Sequence, residues 1–166
     1  MNQSKFKNEQ DVRVEIKPEK VNKAIAYACR VLGMQEHSQK SLGQKLKLKG
    51  YNSPEIAQAI EFLLENNWLS EQRFCEVFIR SKINRGQGLT RIQYELARKG
   101  ISQPMIEQTL SRVEVNWQRE CDQVTLRKIR ASSIESNMKD RQKLERFLRY
   151  RGFSGEQVRK SMNKYI

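Results

Sequence analysis

The chain repeats one pattern of apolar and polar positions three times. In each copy, two apolar residues four apart lead to a basic residue and a glycine, and two more apolar residues follow. Offsets of 50 and then 52 residues superimpose the copies. A register kept over such spans predicts a fold that repeats one small unit. The matched apolar positions, expected to be buried, are Leu42, Leu46, Ile56 and Ile60, then Ile92, Leu96, Ile106 and Leu110, then Leu144, Leu148, Val158 and Met162.

The glycine in each copy predicts a tight turn between two helices. Glycine readily takes the left-handed conformation that ends a helix, and the basic residue before it complements the negative end of the helix dipole. A polar residue two positions later can cap the next helix, and Glu55 and Gln157 stand where a capping box needs them. The turn glycines are Gly50, Gly100 and Gly152, and the predicted caps are Asn52, Ser102 and Ser154.

A further apolar period of three to four precedes each copy, so each unit is predicted to contain three helices. In the second unit we expect them at residues 71–84, 89–99 and 103–113, and the third unit should open with a helix at 117–129. The polar stretch at 131–137 predicts a loop. The residues predicted to cap the middle helices are Ser38, Gly88 and Asp140.

These patterns predict an all-α fold of three tandem three-helix repeats that stack into an elongated, curved body. The unit boundaries are expected at residues 21–70, 71–118 and 119–166. Residues 1–20 carry no helical period, although Val12, Val14 and Ile16 alternate with charged residues there. A lone strand would lack a partner. This segment is therefore expected to be a flexible arm.

The chain is strongly basic. It has 32 Lys and Arg against 19 Asp and Glu, which gives a formal net charge of +13, and residues 119–166 carry +7 of that excess. Such a surplus is typical of proteins that act on or beside polyanions. The alternative is that the cations only solvate helix faces. The size of the surplus favours a polyanionic partner.

The chain lacks the residue patterns of the common catalytic and metal sites. It has one histidine, His37, and its cysteines, Cys29, Cys75 and Cys121, do not pair at metal-ligand spacing. The glycine turn at 86–88 lacks the lysine of a phosphate loop. We therefore expect no catalysis, no metal and no cofactor. Unpaired thiols, with no signal peptide and no long apolar run, predict a soluble cytoplasmic protein.

Four stretches of the chain carry a family resemblance. They are WLSEQRF at 68–74, GQGLTRI at 86–92, ELARKGI at 95–101 and FLRYRGF at 147–153. Together they resemble the RecX family, the bacterial modulators of the RecA recombinase, over about residues 20–166. The resemblance implies a non-catalytic protein that lies in the helical groove of the RecA filament on single-stranded DNA. There it would restrain filament growth and the ATPase, strand-exchange and co-protease activities of RecA.

The cations expected to meet this partner cluster near the glycine turns. Arg146, Arg149 and Arg151 crowd the last turns of one helix, more than dipole compensation needs. We expect them to bind acidic protein surface or phosphates, together with a set in the second unit. That set is Arg80, Arg85, Arg91, Arg98 and Lys99. The expected partners are the RecA filament and single- or double-stranded DNA, with no membrane, and the chain itself is expected to be a monomer.

An alternative function is a stand-alone DNA-binding protein that acts through a basic helical surface. Tyr150, Phe153 and Tyr165 could stack on bases, although aromatic residues at helical spacing are more commonly core residues. The salt dependence of binding to bare DNA would separate the two functions. A hidden nuclease or helicase-accessory activity is disfavoured, because the acid clusters and the phosphate loop it needs are missing.

Overall fold

The computed structural model describes residues 17–132 and 137–166, and within these ranges the chain forms nine helices and no strand. The prediction of an all-α repeat fold is confirmed. The helices form three units in chain order, each with its own core. They are α1 (Pro18–Met34), α2 (Gln39–Leu48), α3 (Ser53–Glu65), α4 (Glu71–Asn84), α5 (Leu89–Arg98), α6 (Gln103–Arg112), α7 (Trp117–Ser132), α8 (Met138–Tyr150) and α9 (Gly155–Tyr165).

The middle helix of each unit supplies the centre of the core. Two apolar residues four apart share one face of a helix, and in all three units that face is fully buried. The opposite faces of α2, α5 and α8 therefore point away from their own cores. The buried pairs are Leu42 and Leu46 in α2, Ile92 and Leu96 in α5, and Leu144 and Leu148 in α8.

Replacement of Leu96 by alanine is expected to destabilise the protein by about 2 to 5 kcal/mol, because it removes a buried side chain and leaves a cavity. Denaturant unfolding followed by circular dichroism measures the change. The matched control is Leu48→Ala, since Leu48 is 88% exposed and its truncation is expected to cost less than about 0.5 kcal/mol. Equal losses in the two variants would contradict the assigned core.

The third helix of the first unit is rotated from its predicted orientation. Ile56 and Ile60 are only half-buried at the edge of the core, whereas Ala59 and Leu63 are fully buried. The cause is α1, whose small residues let α3 approach closely and turn its Ala59 face inward; they are Ala24 and Ala28, both fully buried. In the second unit Ile106 is buried and Leu110 is half-buried, and in the third both Val158 and Met162 are buried.

The predicted caps form in part. Asn52 and Glu55 make a complete capping box, in which each side chain accepts a 2.9 Å hydrogen bond from the backbone N–H of the other. Ser154 and Gln157 make the equivalent box in the third unit. Ser102 has the backbone conformation of an N-cap but its side chain accepts no capping hydrogen bond.

The cap predicted for α8 is wrong. Asn137 caps this helix, because its side-chain oxygen accepts a 2.9 Å hydrogen bond from the N–H of Asp140, so the helix begins one turn earlier and Asp140 lies in its first turn. The helix before it, α7, continues to Ser132, three residues beyond its predicted end. The rest of the predicted loop, at 133–136, lies outside the described residues.

The first helix begins within the segment that is expected to be a flexible arm. Because α1 begins at Pro18, residues 18–20 are helical. Residues 1–16, which include the alternating Val12, Val14 and Ile16, lie outside the described part of the chain.

The three middle helices stack end to end. At the joint between the first and second units, the start of α2 donates to carbonyls at the end of α5: Ser38 Oγ to Lys99 O at 2.8 Å and Lys40 Nζ to Arg98 O at 3.0 Å. At the next joint, the start of α5 donates to the end of α8. The last carbonyl groups of a helix have no hydrogen-bond donor within that helix, and these bonds supply one. At each joint the positive end of one helix dipole also meets the negative end of the other, which is favourable.

Main-chain donors make the second joint together with the Arg91 side chain, which donates to Tyr150 O at 3.1 Å. The N–H of Gly88 donates to Arg151 O at 2.8 Å, and the N–H of Thr90 donates to Gly152 O at 3.2 Å. A Cβ added at Gly88 would overlap the backbone of Gly152, and one added at Gly152 would overlap Arg91. The second and third units therefore approach closely only because glycine occupies both positions.

Candidate functional site

A basic groove runs along the outer faces of the stacked middle helices and crosses both joints. Its volume is about 970 Å³. Because the outer faces lie opposite the buried apolar pairs, the groove collects polar and aromatic side chains from all three units. The residues that line this basic groove are Lys40, Ser41, Gln44, Thr90, Arg91, Tyr94, Glu95, Arg98, Lys99, Arg149, Tyr150 and Gly152.

Glu95 is the carboxylate among these lining residues, and its charge is already neutralised. Its two oxygens form ion pairs with Lys82 and, at 2.9 Å, with Arg91 Nε. Partial burial opposes the ionisation of Glu95, but the two cations outweigh it, so the net pKa lies below its usual value. Lys40, Arg98 and Arg149 have no ion-pair partner within the part of the chain that the structure describes. The groove is therefore positively charged along its length.

The rings of two tyrosines in the groove are exposed to solvent. Tyr94 is 61% exposed and Tyr150 is 73% exposed. A guanidinium group lies near each ring, Arg98 at 5.8 Å from the Tyr94 centroid and Arg91 at 4.6 Å from the Tyr150 centroid. An exposed ring beside arginine gives a planar surface on which a base or another flat group can stack.

The three aromatic residues that could stack on bases differ in burial. The prediction that an aromatic residue at helical spacing is a core residue is confirmed for Phe153, which is 3% exposed, and is wrong for Tyr150, which is exposed. Tyr165 is half-buried, and its hydroxyl lies 3.5 Å from an oxygen of Asp122. The difference arises because Phe153 follows the glycine turn into the third core, whereas Tyr150 ends the outer face of α8.

The structure divides the eight predicted binding cations into two groups. Four line the basic groove, namely Arg91, Arg98, Lys99 and Arg149. The other four lie elsewhere. Arg80 and Arg85 are exposed on and after α4, Arg146 is exposed on α8 outside the lining, and Arg151 turns to the opposite side of the joint.

Arg151 is engaged in structure. Its guanidinium group donates to the carbonyl oxygen of Arg85 and lies 5.0 Å from the ring centroid of Phe147. Its own carbonyl accepts from Gly88 at the second joint. Reversing its charge together with Arg146 and Arg149 would disturb the joint as well as the surface. A clean test of the groove therefore leaves Arg151 unchanged.

Sequence reasoning missed Lys40 and Tyr94. Lys40 is exposed and reaches across the first joint, which the sequence of one unit cannot reveal. Tyr94 could have been found, because it lies between Ile92 and Leu96 and so projects from the face of the helix that is opposite both. A large aromatic residue on a predicted solvent face is the signal.

No group of three or more His, Cys, Asp or Glu side chains could hold a metal ion in residues 17–132 and 137–166. No helix within these same ranges is long and apolar enough to cross a membrane.

Two of the three thiols are expected to be unreactive in the folded protein. Burial raises the pKa of Cys75, and it raises that of Cys121 to about 11, so about one thousandth of the Cys121 thiol is ionised at pH 8. Cys29 is only half-buried and should react first. Brief alkylation followed by mass spectrometry measures the order. Labelling of Cys121 as fast as Cys29 in the native state would contradict this account.

The chain is a tandem helical-repeat protein with a basic groove across its units, and comparison with known proteins gives the family. Family models for the first, second and third three-helix domains of RecX match residues 24–63, 70–110 and 121–162. The chain belongs to the RecX family. Regulatory protein RecX of Halorhodospira halophila is 36% identical over 132 residues, covering 80% of this chain and 81% of the relative. That of Vibrio vulnificus is 34% identical over 136 residues, covering 82% and 88%.

Solved structures share the fold. The crystal structure of RecX from Lactobacillus salivarius matches with a TM-score of 0.74 and 19% identity, over 89% of this chain and 97% of that one. A second crystal structure of regulatory protein RecX matches with a TM-score of 0.76 and 18% identity, over 90% and 80%. The family models and the relatives named regulatory protein RecX confirm the predicted family resemblance, and with it a regulatory role.

Proposed function

We propose that this chain binds the RecA filament on single-stranded DNA through the basic groove and restrains filament extension. The observation that carries the proposal is one continuous, positively charged groove with contributions from all three units. Restraint of extension would lower the ATPase, strand-exchange and co-protease activities, because each depends on the filament. Membership in a family of regulatory proteins supports a role of this kind.

In this mechanism the chain acts by occupying a surface of the filament. Because the units are joined through their middle helices, contacts made by one unit hold the next unit close to its own contact point, and each adds to the effective concentration. Arg98 and Arg149 come from different units and line the same groove. A partner that repeats along an axis could meet such cations in succession. No side chain of this chain needs to make or break a covalent bond, so we propose a non-catalytic regulator that acts as a cytoplasmic monomer.

The direct test adds purified protein to a RecA filament preformed on single-stranded DNA. ATP hydrolysis and the release of labelled DNA are followed together. We expect hydrolysis to fall as protein is added, and to fall faster when filaments are still growing than when they are complete. Unchanged hydrolysis in both cases, at protein concentrations well above that of RecA, would refute the proposal.

A second candidate function, stand-alone DNA binding, is supported by the exposed Tyr94 and Tyr150 rings beside arginine. Binding to a bare oligonucleotide across a salt titration distinguishes the two. Each phosphate contact on single-stranded DNA contributes about 0.7 to the slope of log affinity against log salt. Inhibition of RecA at salt concentrations that abolish binding to bare DNA favours the filament as the partner. Loss of both at the same salt concentration favours DNA.

A further inference from the structure

A separate cleft lies at the seam between the first and second units. It has a volume of about 500 Å³ between α2 and α4. Its edge adjoins the basic groove, with which it shares Ser41, Gln44 and Lys99. We call it the seam cleft. Its principal lining residues are Lys45 and Leu48 on α2, Phe74, Val77 and Phe78 on α4, and Lys99 after α5.

The seam cleft exposes apolar side chains that no core uses. Leu48 is 88% exposed and Val77 is 55% exposed, and neither belongs to the apolar cluster of its unit. Isolated exposed aliphatic residues are common on protein surfaces. Here two of them, from different helices, line one concavity together with the half-buried ring of Phe78. A partner that covers this concavity would remove the apolar surface of these side chains from water, which favours binding.

The same cleft carries positive charge without compensation. Lys45 and Lys99 are half-buried, and neither has an ion-pair partner in the described part of the chain. The Lys99 Nζ lies 5.7 Å from the ring centroid of Phe78. The one carboxylate in the lining, Glu36, is paired with Arg73 at 2.9 Å. The pKa of His37 in the wall is lowered, first by burial and then by both lysines, which reflects the same positive potential.

We propose that the seam cleft docks an amphipathic acidic helix of a partner protein, with its apolar side chains on Leu48 and Val77 and its carboxylates at Lys45 and Lys99. An apolar strip flanked by cations is complementary to a helix that has apolar residues on one face and carboxylates beside them. Nucleic acid fits less well, because bases stack on exposed aromatic planes and the exposed apolar residues here are aliphatic. This docking does not depend on the function proposed for the basic groove.

The test uses a fluorescein-labelled peptide of about 18 residues, five helical turns, with leucine and glutamate at helical spacing. The chain of 166 residues should bind it, and a matched peptide with lysine in place of glutamate should not bind. The double variant Leu48→Asp, Val77→Asp should bind the acidic peptide at least tenfold more weakly. Lys45→Glu should weaken binding too. Met138→Asp is the control, because Met138 is 77% exposed in the third unit and lines neither the seam cleft nor the basic groove.

Circular dichroism and melting temperature show whether each variant keeps the parent fold, and all the substituted side chains except Lys45 are more than half exposed. Equal affinity of the parent and of both cleft variants for the acidic peptide would overturn the proposal. A single-stranded oligonucleotide that displaces the peptide from the parent, and whose own binding is lost in the Leu48→Asp, Val77→Asp variant, would assign the cleft to nucleic acid and would also overturn it.

Discussion

The double charge reversal Arg98→Glu, Arg149→Glu is expected to raise the concentration needed for half-inhibition of the RecA filament about thirtyfold or more. The two residues come from different units and line the same groove, and neither has an ion-pair partner among the described residues. A loss of about 1 kcal/mol at each of two contacts amounts to about 2 kcal/mol, and 1.4 kcal/mol is a factor of ten in affinity. Each glutamate would also repel the negatively charged partner that the arginine attracts, so the loss of about 2 kcal/mol is a lower bound.

The matched control for the groove is Arg112→Glu, Arg119→Glu. Both residues are exposed and neither lines the groove, so this variant changes the net charge equally and leaves the proposed contacts intact. It should inhibit as the parent does at every salt concentration. If both double variants lose inhibition equally, the effect comes from overall charge, and the assignment of the groove is wrong. If neither loses it, the binding surface lies elsewhere.

The second large effect concerns the joint between the second and third units. Gly152→Ala is expected to destabilise the protein by about 1 to 3 kcal/mol more than Gly50→Ala does. The two glycines share a φ of 92°, so both variants incur the same strain of about 1 to 2 kcal/mol for an L residue in this region. They differ in what surrounds the new methyl group. Nothing lies within 4 Å at Gly50, whereas Arg91 would be overlapped at Gly152.

Chemical denaturation of the two alanine variants measures this difference directly. A biphasic curve for Gly152→Ala, with the third unit unfolding first, would agree with loss of the joint. The position of Tyr150 is a second readout, because its ring lies against Arg91 at this joint, and the NMR resonances of this ring should shift in the Gly152 variant alone. Equal losses of stability in both variants would show that the close approach at Gly152 contributes nothing.

The fold could be predicted from the sequence because its main determinants are local. The buried apolar pairs, the turn glycines and most caps act within one unit, and three copies reinforce the same register. The two wrong predictions have different causes. At α3 a neighbouring helix decides, because small alanines on α1 turn α3 so that Ala59, rather than Ile56, enters the core. At α8 the cause is local, because Asn137 accepts a hydrogen bond from the N–H of Asp140 and so starts the helix one turn earlier.

The candidate site was less predictable, because it depends on how one unit meets the next. Arg149 and Arg151 are two residues apart at the end of one helix, so their side chains leave it in nearly opposite directions. Arg149 lines the basic groove, with its guanidinium group next to Gly155 at the start of α9, whereas Arg151 donates to Arg85 O across the joint. Counting arginines in a stretch of sequence cannot separate them. Tyr94 is different, since its place opposite the buried pair of α5 is visible in the sequence.

The two joints differ in what a substitution can do to them. The first joint consists of donors on the side chains of Ser38 and Lys40, so a single codon change at either position can weaken, redirect or strengthen it. The second joint has two main-chain donors, Gly88 and Thr90, in addition to the side-chain donors Arg91 and Arg151. Changes at the two arginines can loosen this joint, but the main-chain pairing stays unless a glycine is replaced. The angle between the first two units is therefore more open to gradual mutational adjustment than the angle between the last two, which the main chain partly fixes.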